Sequence, residues 1–208
     1  MELYLLRHGE PEKNIGQGRR SKNGSRNPGL TEDGKKEIIR IAKSMKRFKI
    51  TFDTILTSPL NSATQTAEIV SNVFKMKNKM IDCDELLPEG NIAKLYGRLH
   101  QFATESSILV VGHEPYLTNI IYDIISRQQS KSGSRRSVTR RTRVKNITTI
   151  EKSIEVKKGG LAKISIISTT PELKGELRWL LTPRIIKSLF GESKTVVENK
   201  ESTRKPDD

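Results

Sequence analysis

Leu3-Tyr4-Leu5-Leu6-Arg7-His8-Gly9-Glu10 and, roughly a hundred residues later, Ile108-Leu109-Val110-Val111-Gly112-His113-Glu114-Pro115 share one pattern: a short apolar run that ends in a histidine. Four consecutive apolar residues closed by a glycine-containing turn predict a strand buried on both faces of a sheet. Each predicted strand therefore delivers an imidazole at its carboxyl end. An imidazole beside a guanidinium, with a glycine that lets the backbone approach a ligand, suits a site that holds phosphate and attacks it.

The intervening sequence repeats a strand-loop-helix pattern. Thr31-Glu32-Asp33 offers an N-cap with first-turn acids, and Ile38, Ile41, Ala42, Met45 and Phe48 recur at helical spacing. Thr54-Ile55-Leu56 reads as a strand, followed after Ser58-Pro59 by a helix with Ala63, Ala67, Val70 and Phe74 on its apolar stripe. Met80-Ile81 is a short strand candidate. Asn91 caps a helix that uses Ile92, Leu95, Leu99 and Phe102, and Leu117, Ile120, Ile121, Ile124 and Ile125 mark the helix after His113. Leu161–Ile167 and Glu176–Leu181 read as a late hairpin packed by Trp179, with an amphipathic turn over Pro183–Phe190. The fold class predicted is α/β, a three-layer α/β/α sandwich with a mostly parallel central sheet, in which ligands gather at the carboxyl ends of the strands.

The chain has 208 residues, enough for one α/β domain with decoration. No apolar stretch approaches the ~20 residues that span a bilayer, and the N-terminus opens on a strand without a basic leader, which predicts a soluble, cytoplasmic protein with no membrane partner. A lone cysteine, Cys83, makes neither an internal disulfide nor a zinc cage and is expected to be a small buried hydrophobe. The net charge of +14 is unevenly spread: Lys13 to Arg26 holds five Lys/Arg and no acid, and Arg127 to Ile150 holds eight and no acid. The rest of the chain is nearly neutral. The segment 127–150 is rich in Ser, Thr and Arg and poor in apolar residues, a composition expected to stay disordered as an insertion. It is either a solvated loop or an arm for an acidic protein, nucleic acid or polyphosphorylated ligand, and its lack of aromatics argues against stacking on single-stranded bases. The polar tail, 191–208, is expected to be disordered as well.

The two histidine motifs have company. Asn14 comes after Arg7-His8-Gly9-Glu10, and then come Leu30-Thr31-Glu32-Asp33-Gly34, Thr57-Ser58-Pro59-Leu60 with Ala63-Thr64-Gln65-Thr66-Ala67, and Val111-Gly112-His113-Glu114-Pro115. In this order they resemble the histidine phosphatase superfamily, which includes the phosphoglycerate mutases. Lys158-Gly159-Gly160-Leu161-Ala162 with Leu177-Arg178-Trp179-Leu180-Leu181-Thr182-Pro183 resembles the SixA-type phosphohistidine phosphatases in particular. The resemblance covers residues 1 to about 190 as one domain, interrupted by the basic insertion. It implies a phosphoglycerate-mutase-like fold, a phosphohydrolase that transfers phosphoryl groups through a phosphohistidine on His8, a phosphate pocket that includes Arg7 and His113, and no metal or organic cofactor.

One departure stands out. Where the family pattern reads Ser-Pro-x-x-Arg-Ala, this chain has Ser62 in place of the arginine. Removing one preorganised donor to a developing oxyanion costs roughly 10²–10³ in rate. Either another cation, Arg19 or Arg20, fills the gap, or the enzyme is slow, or catalysis is lost. Asn14 is a candidate phosphate ligand or a loop amide. Glu85 and Glu89 lie where mutase-like relatives place a proton donor, and they are either that acid or solvated loop carboxylates; Glu10 and Glu114 share this ambiguity. His100 falls on the helix from Asn91, away from both motifs. Three readings are compatible with these residues: a phosphatase of phosphohistidine in a protein partner, a phosphomonoesterase for small phosphoesters with the same nucleophile, or a weakly active or inactive polyanion-binding module.

Overall fold

The structure is a computed structural model that describes residues 1–13, 27–127, 154–170 and 172–190. Asn14, Arg19, Arg20, the insertion beyond Arg127 and the tail lie outside the described residues. Six strands form one sheet: β1 (Glu2–Arg7), β2 (Thr54–Thr57), β3 (Met80–Asp82), β4 (Ser107–Gly112), β5 (Leu161–Ser168) and β6 (Lys174–Leu181), in the order β3-β2-β4-β1-β5-β6. The first four are parallel; β5 runs antiparallel to β1, and β6 antiparallel to β5. The late hairpin thus extends a parallel sheet along one edge.

Alternation along the central strands sends side chains to both faces, which is why their sequence is apolar throughout. Leu3 and Leu5 of β1, with Ile108 and Val110 of β4, face a cluster that includes Leu95 and Leu99 of α3 (Ile92–His100) and Leu117, Ile120, Ile121 and Ile124 of α4 (Tyr116–Ser126). Tyr4, Leu6, Leu109 and Val111 face the opposite cluster, with Ile38, Ile41, Ala42 and Met45 of α1 (Glu32–Arg47) and Ala63, Ala67 and Val70 of α2 (Asn61–Phe74). Ile186 of α5 (Pro183–Phe190) joins this second face. Each fully buried aliphatic side chain of this kind contributes roughly 1.5–3 kcal/mol, so both layers are anchored by several independent contacts. Trp179 packs beside Tyr4, with ring centroids 6.0 Å apart.

Thr31 and Asn91 cap α1 and α3 through their side chains as expected. Phe48 does not follow its stripe. It is 42% exposed because α1 ends at Arg47. Lys49 takes a left-handed conformation, φ 57°, and Ile50 N–H closes back on the Met45 carbonyl. This C-terminal motif normally recruits glycine; with lysine in that place, the helix end carries no marker in the sequence. Phe102 likewise lies beyond α3 and reaches the first cluster from the following turn. Among the described residues no helix is long and apolar enough to cross a membrane.

Candidate active site

Parallel pairing of β1 with β4 sets Arg7 opposite Gly112, and the ladder continues one step further through His8 N–H to the Gly112 carbonyl at 3.1 Å. His8 and His113 therefore leave adjacent strands at the same level. β2 ends there too, with Ser58 N–H donating to the Val111 carbonyl at 3.0 Å. The imidazole centroids of His8 and His113 lie 4.9 Å apart with their planes inclined at 51°. Both side chains are largely buried, and the register of the sheet brings their backbones to one level.

The two rings are held differently. His8 Nδ1 lies 2.7 Å from the Gly9 carbonyl, an acceptor only, so Nδ1 carries the proton and Nε2 presents a lone pair. Gly9 N–H donates to Thr66 Oγ1 at 3.1 Å, and Thr66 donates in turn to the Ser62 carbonyl at 2.7 Å. A Cβ on Gly9 would lie 2.8 Å from Ile38 Cγ1, so only glycine lets β1 run out beneath α1. His113 Nε2 lies 3.0 Å from Ser58 Oγ, a side-chain partner that either donates or accepts.

Several further motif residues lock this arrangement. Thr31 N–H donates to the Glu10 carbonyl at 2.9 Å, and Gln65 Oε1 accepts from Leu30 N–H at 2.7 Å. Leu30-Thr31 and Gln65 thus tie the exit of β1 to both helices of that face. Residues just before β5 close the site from the other side. Gly159, at φ 67°, donates its N–H to the carbonyls of Arg7 and His8, each at 3.1 Å, and Arg7 N–H donates to the Gly160 carbonyl at 3.1 Å. Glu114 Oε1 accepts from Thr118 Oγ1 at 2.8 Å and from Val156 N–H at 3.0 Å.

Arg7 Nη1 donates to the Val156 carbonyl at 2.9 Å and meets Glu155 at 3.4 Å, while its Nε is buried without a hydrogen-bond partner among the described residues. A buried, unpartnered donor on a cation is costly unless an anion takes it. Lys158 ion-pairs with Glu10 at 2.9 Å. Burial lowers the His8 pKa, and the charges of Arg7 and Lys158 lower it further, against the opposing effects of the Gly9 carbonyl and Glu10. Burial also lowers His113, to about 4, with His8 and Arg7 adding to the effect. At neutral pH both rings are uncharged, which keeps the His8 lone pair available. Burial raises the pKa of Glu114.

The other carboxylates named from the sequence, Glu85 and Glu89, follow β3. Glu85 accepts from Cys83 Sγ at 3.1 Å, and its pKa is lowered chiefly by that bond. Glu89 lies on a hollow lined by Asp84, Glu85, Leu87 and Lys94, with neither histidine in its wall. Among the described contacts the structure brings neither carboxylate to an imidazole. Cys83 is buried, as expected, and its thiol is pushed up to about 12 by burial and by Glu85. His100 is exposed at the end of α3. Ser62 is buried in the first turn of α2. Ser58, Thr66 and Lys158 occur in the motifs, but residue type alone did not disclose their contacts to the site.

The model of the histidine phosphatase superfamily (branch 1) matches residues 3–107. The chain belongs to this superfamily. Among histidine phosphatases of curated description, it is 33% identical to the 2,3-bisphosphoglycerate-dependent phosphoglycerate mutase of Bartonella henselae over 95 residues, 46% of this chain and 45% of that one. It is 25% identical to the phosphohistidine phosphatase SixA of Escherichia coli over 126 residues, 60% of this chain and 74% of that one. The chain thus spans about half the length of the mutase it matches. Its fold is that of solved histidine phosphatases: a SixA complexed with tungstate superposes with a TM-score of 0.63 at 19% identity, covering 88% of this chain and 98% of the other. A putative α-ribazole-5′-P phosphatase from Escherichia coli superposes with a TM-score of 0.61 at 21% identity, covering 89% and 98%.

Proposed function

We propose that the protein is a phosphohistidine phosphatase whose nucleophile is His8 Nε2, acting on a phosphorylated histidine of a protein partner. The observation that carries this reading is the pair of neutral, buried imidazoles 4.9 Å apart, with His8 Nδ1 fixed on the Gly9 carbonyl. His8 Nε2 attacks phosphorus, forming one N–P bond as the bond to the leaving nitrogen breaks. The substrate imidazole departs as a neutral ring when its other nitrogen is protonated from solvent. Water then displaces His8 from phosphorus, releasing dihydrogen phosphate and the neutral imidazole. Arg7 Nε and His113 serve the phosphoryl oxygens, where charge resides throughout transfer.

The choice of a phosphoramidate rests on the leaving group. A phosphoester needs a proton donor for its alkoxide, whereas a protonated imidazole leaves readily. Among the described residues Glu114 accepts from Thr118 and Val156, and Glu85 accepts from Cys83. This supports a substrate that supplies its own leaving group. Rapid-quench trapping with phosphoramidate, a phosphohistidine protein and a small phosphoester tests it. We expect acid-labile, base-stable phosphate on His8, formed faster from both phosphoramidates than from the ester. Faster labelling by the ester would establish the phosphomonoesterase reading; no label from any substrate, with anion binding retained, would leave a binding module.

A further inference from the structure

We propose that Lys158 is the second cationic ligand of the phosphate site, held on Glu10 while the site is empty and transferred to the phosphoryl dianion when it binds. The inference rests on the proposed function, because it names how that same site neutralises its substrate.

Backbone geometry places the lysine. Lys157 to Gly160 form a tight turn that precedes β5, closed by Gly160 N–H on the Lys157 carbonyl at 2.6 Å. A Cβ on Gly160 would lie 2.6 Å from that same carbonyl, and a Cβ on Gly159 would lie 2.8 Å from Ile41 Cδ1, so neither position accepts a side chain. The turn is fastened to the carboxyl end of β1 through the Gly159 and Gly160 bonds to Arg7 and His8. The Lys158 backbone is thereby fixed next to the nucleophile, while its side chain is 38% exposed and ends on a carboxylate that is itself 46% exposed. An ion pair this open gains little in water and is easily exchanged for a dianion.

Charge balance supplies the reason for the exchange. Among the described residues, a phosphoryl dianion entering between two neutral imidazoles meets one guanidinium, Arg7, already sharing its Nη1 with Val156 and Glu155. Ser62 and Thr66 stand one turn apart on the side of α2 that supports Gly9, and neither carries charge. Lys158 is the other cation among the described residues whose field reaches His8. A flexible ammonium on a rigid turn suits a point contact with a phosphoryl oxygen.

The chain has three histidines, so ring resonances assigned with single variants report sulfate binding at His8 and His113 separately from sulfate attracted to basic surface elsewhere. Titration of the full chain with sulfate is expected to shift both rings. Lys158→Gln is expected to weaken that binding roughly tenfold, Lys158→Arg to restore most of it, and Glu10→Gln to tighten it by releasing the lysine. Unchanged affinity in Lys158→Gln, or weakened affinity in Glu10→Gln, would overturn the inference while phosphoenzyme trapping on His8 in the unaltered chain still succeeds. Failure of that trapping would instead strike the proposed function.

Discussion

The carboxyl ends of β1 and β4 begin from nearly the same sequence, an apolar strand leading to a histidine, and produce two different imidazoles. His8 is locked through Nδ1 to a backbone carbonyl and stands among charges of both signs. His113 rests on the Ser58 hydroxyl, and its pKa falls to about 4. A backbone acceptor dictates one tautomer, whereas a hydroxyl permits either. The first environment suits a nucleophile that must keep one lone pair exposed. The second suits a ligand that gains a proton when an anion arrives. Equivalent positions in a parallel sheet thus acquire separate roles from the partner each ring meets, a carbonyl on one strand and a hydroxyl on the other.

The largest effect should come from removing the proposed nucleophile. His8→Ala is expected to abolish acid-labile phosphoenzyme and to lower turnover by roughly 10³-fold or more, with a melting temperature close to that of the unaltered chain. His113→Asn is expected to slow formation of the phosphoenzyme by about 10²-fold without preventing it. Equal labelling of both single variants would erase the asymmetry between the two strand ends.

Proton linkage gives the next test. A folded-state pKa near 4, below the ordinary histidine value of 6.5, means that the unfolded chain takes up the proton first. The stability this group contributes is complete above about pH 6.5 and is lost as pH falls from there toward 4, roughly 3 kcal/mol in all. The lowered pKa of His8 acts in the same direction, and the raised pKa of Glu114 acts in the opposite one. The decisive quantity is therefore the difference between the unaltered chain and His113→Asn in denaturant midpoints measured across this window; the variant should show the shallower pH dependence. Sulfate, which stays a dianion throughout, should bind more tightly to the unaltered chain as pH falls from 8 to 5, with proton uptake visible by calorimetry in buffers of different ionisation heat. Proton release on binding would contradict the part assigned to His113.

Much of this was legible from residue order. Buried strands announce themselves by unbroken apolar runs, and the register of β1 against β4 turns two distant histidines into neighbours as soon as the sheet is parallel. The helix starts at Thr31 and Asn91 were visible because capping is local chemistry. Helix ends were not, since α1 and α2 finish on Lys49 and Lys75 in left-handed conformations where glycine is the usual signal. The roles of Ser58, Thr66 and Lys158 were hidden for another reason: each depends on which hydroxyl or ammonium meets which distant group across 50 or more residues, information that exists only after the sheet closes. Glu85 and Glu89 show what position alone leaves open. Their position after β3 is suggestive, yet one carboxylate turns to a buried thiol and the other lines a hollow whose wall includes neither histidine.

Gly9→Ala probes how much of the His8 geometry is imposed by packing. The added methyl meets Ile38 Cγ1 at 2.8 Å and the Gly34 carbonyl at 3.3 Å, so α1 or the β1 exit must shift. A destabilisation of about 1–3 kcal/mol is expected, accompanied by slower phosphoenzyme formation because Nε2 moves with the backbone. The counterpart on the other strand, Gly112, is less crowded: its nearest neighbour would be Leu117 Cδ2 at 3.3 Å, a tight contact, but with the end of a flexible side chain that can give. Gly112→Ala should therefore cost less than Gly9→Ala in urea denaturation. The opposite ranking would place the rigid half of the site on β4.

The smallest change is expected at Ser58. Its hydroxyl is wholly buried, partners His113 Nε2 at 3.0 Å and also lies 3.4 Å from Leu60 N–H. Ser58→Ala deprives Nε2 of its hydroxyl partner in the empty site, at a cost of about 1 kcal/mol, but a bound phosphoryl oxygen can take over that nitrogen. Stability should therefore fall in the free protein and recover in saturating sulfate, while phosphoenzyme formation changes only a few-fold. His8 offers no comparable substitution, because its partner is the Gly9 carbonyl and no side-chain replacement removes it. A loss of labelling in Ser58→Ala as deep as that in His8→Ala would mean that the hydroxyl, rather than the anion, sets the working state of His113, and the two strand ends would then be equally preorganised.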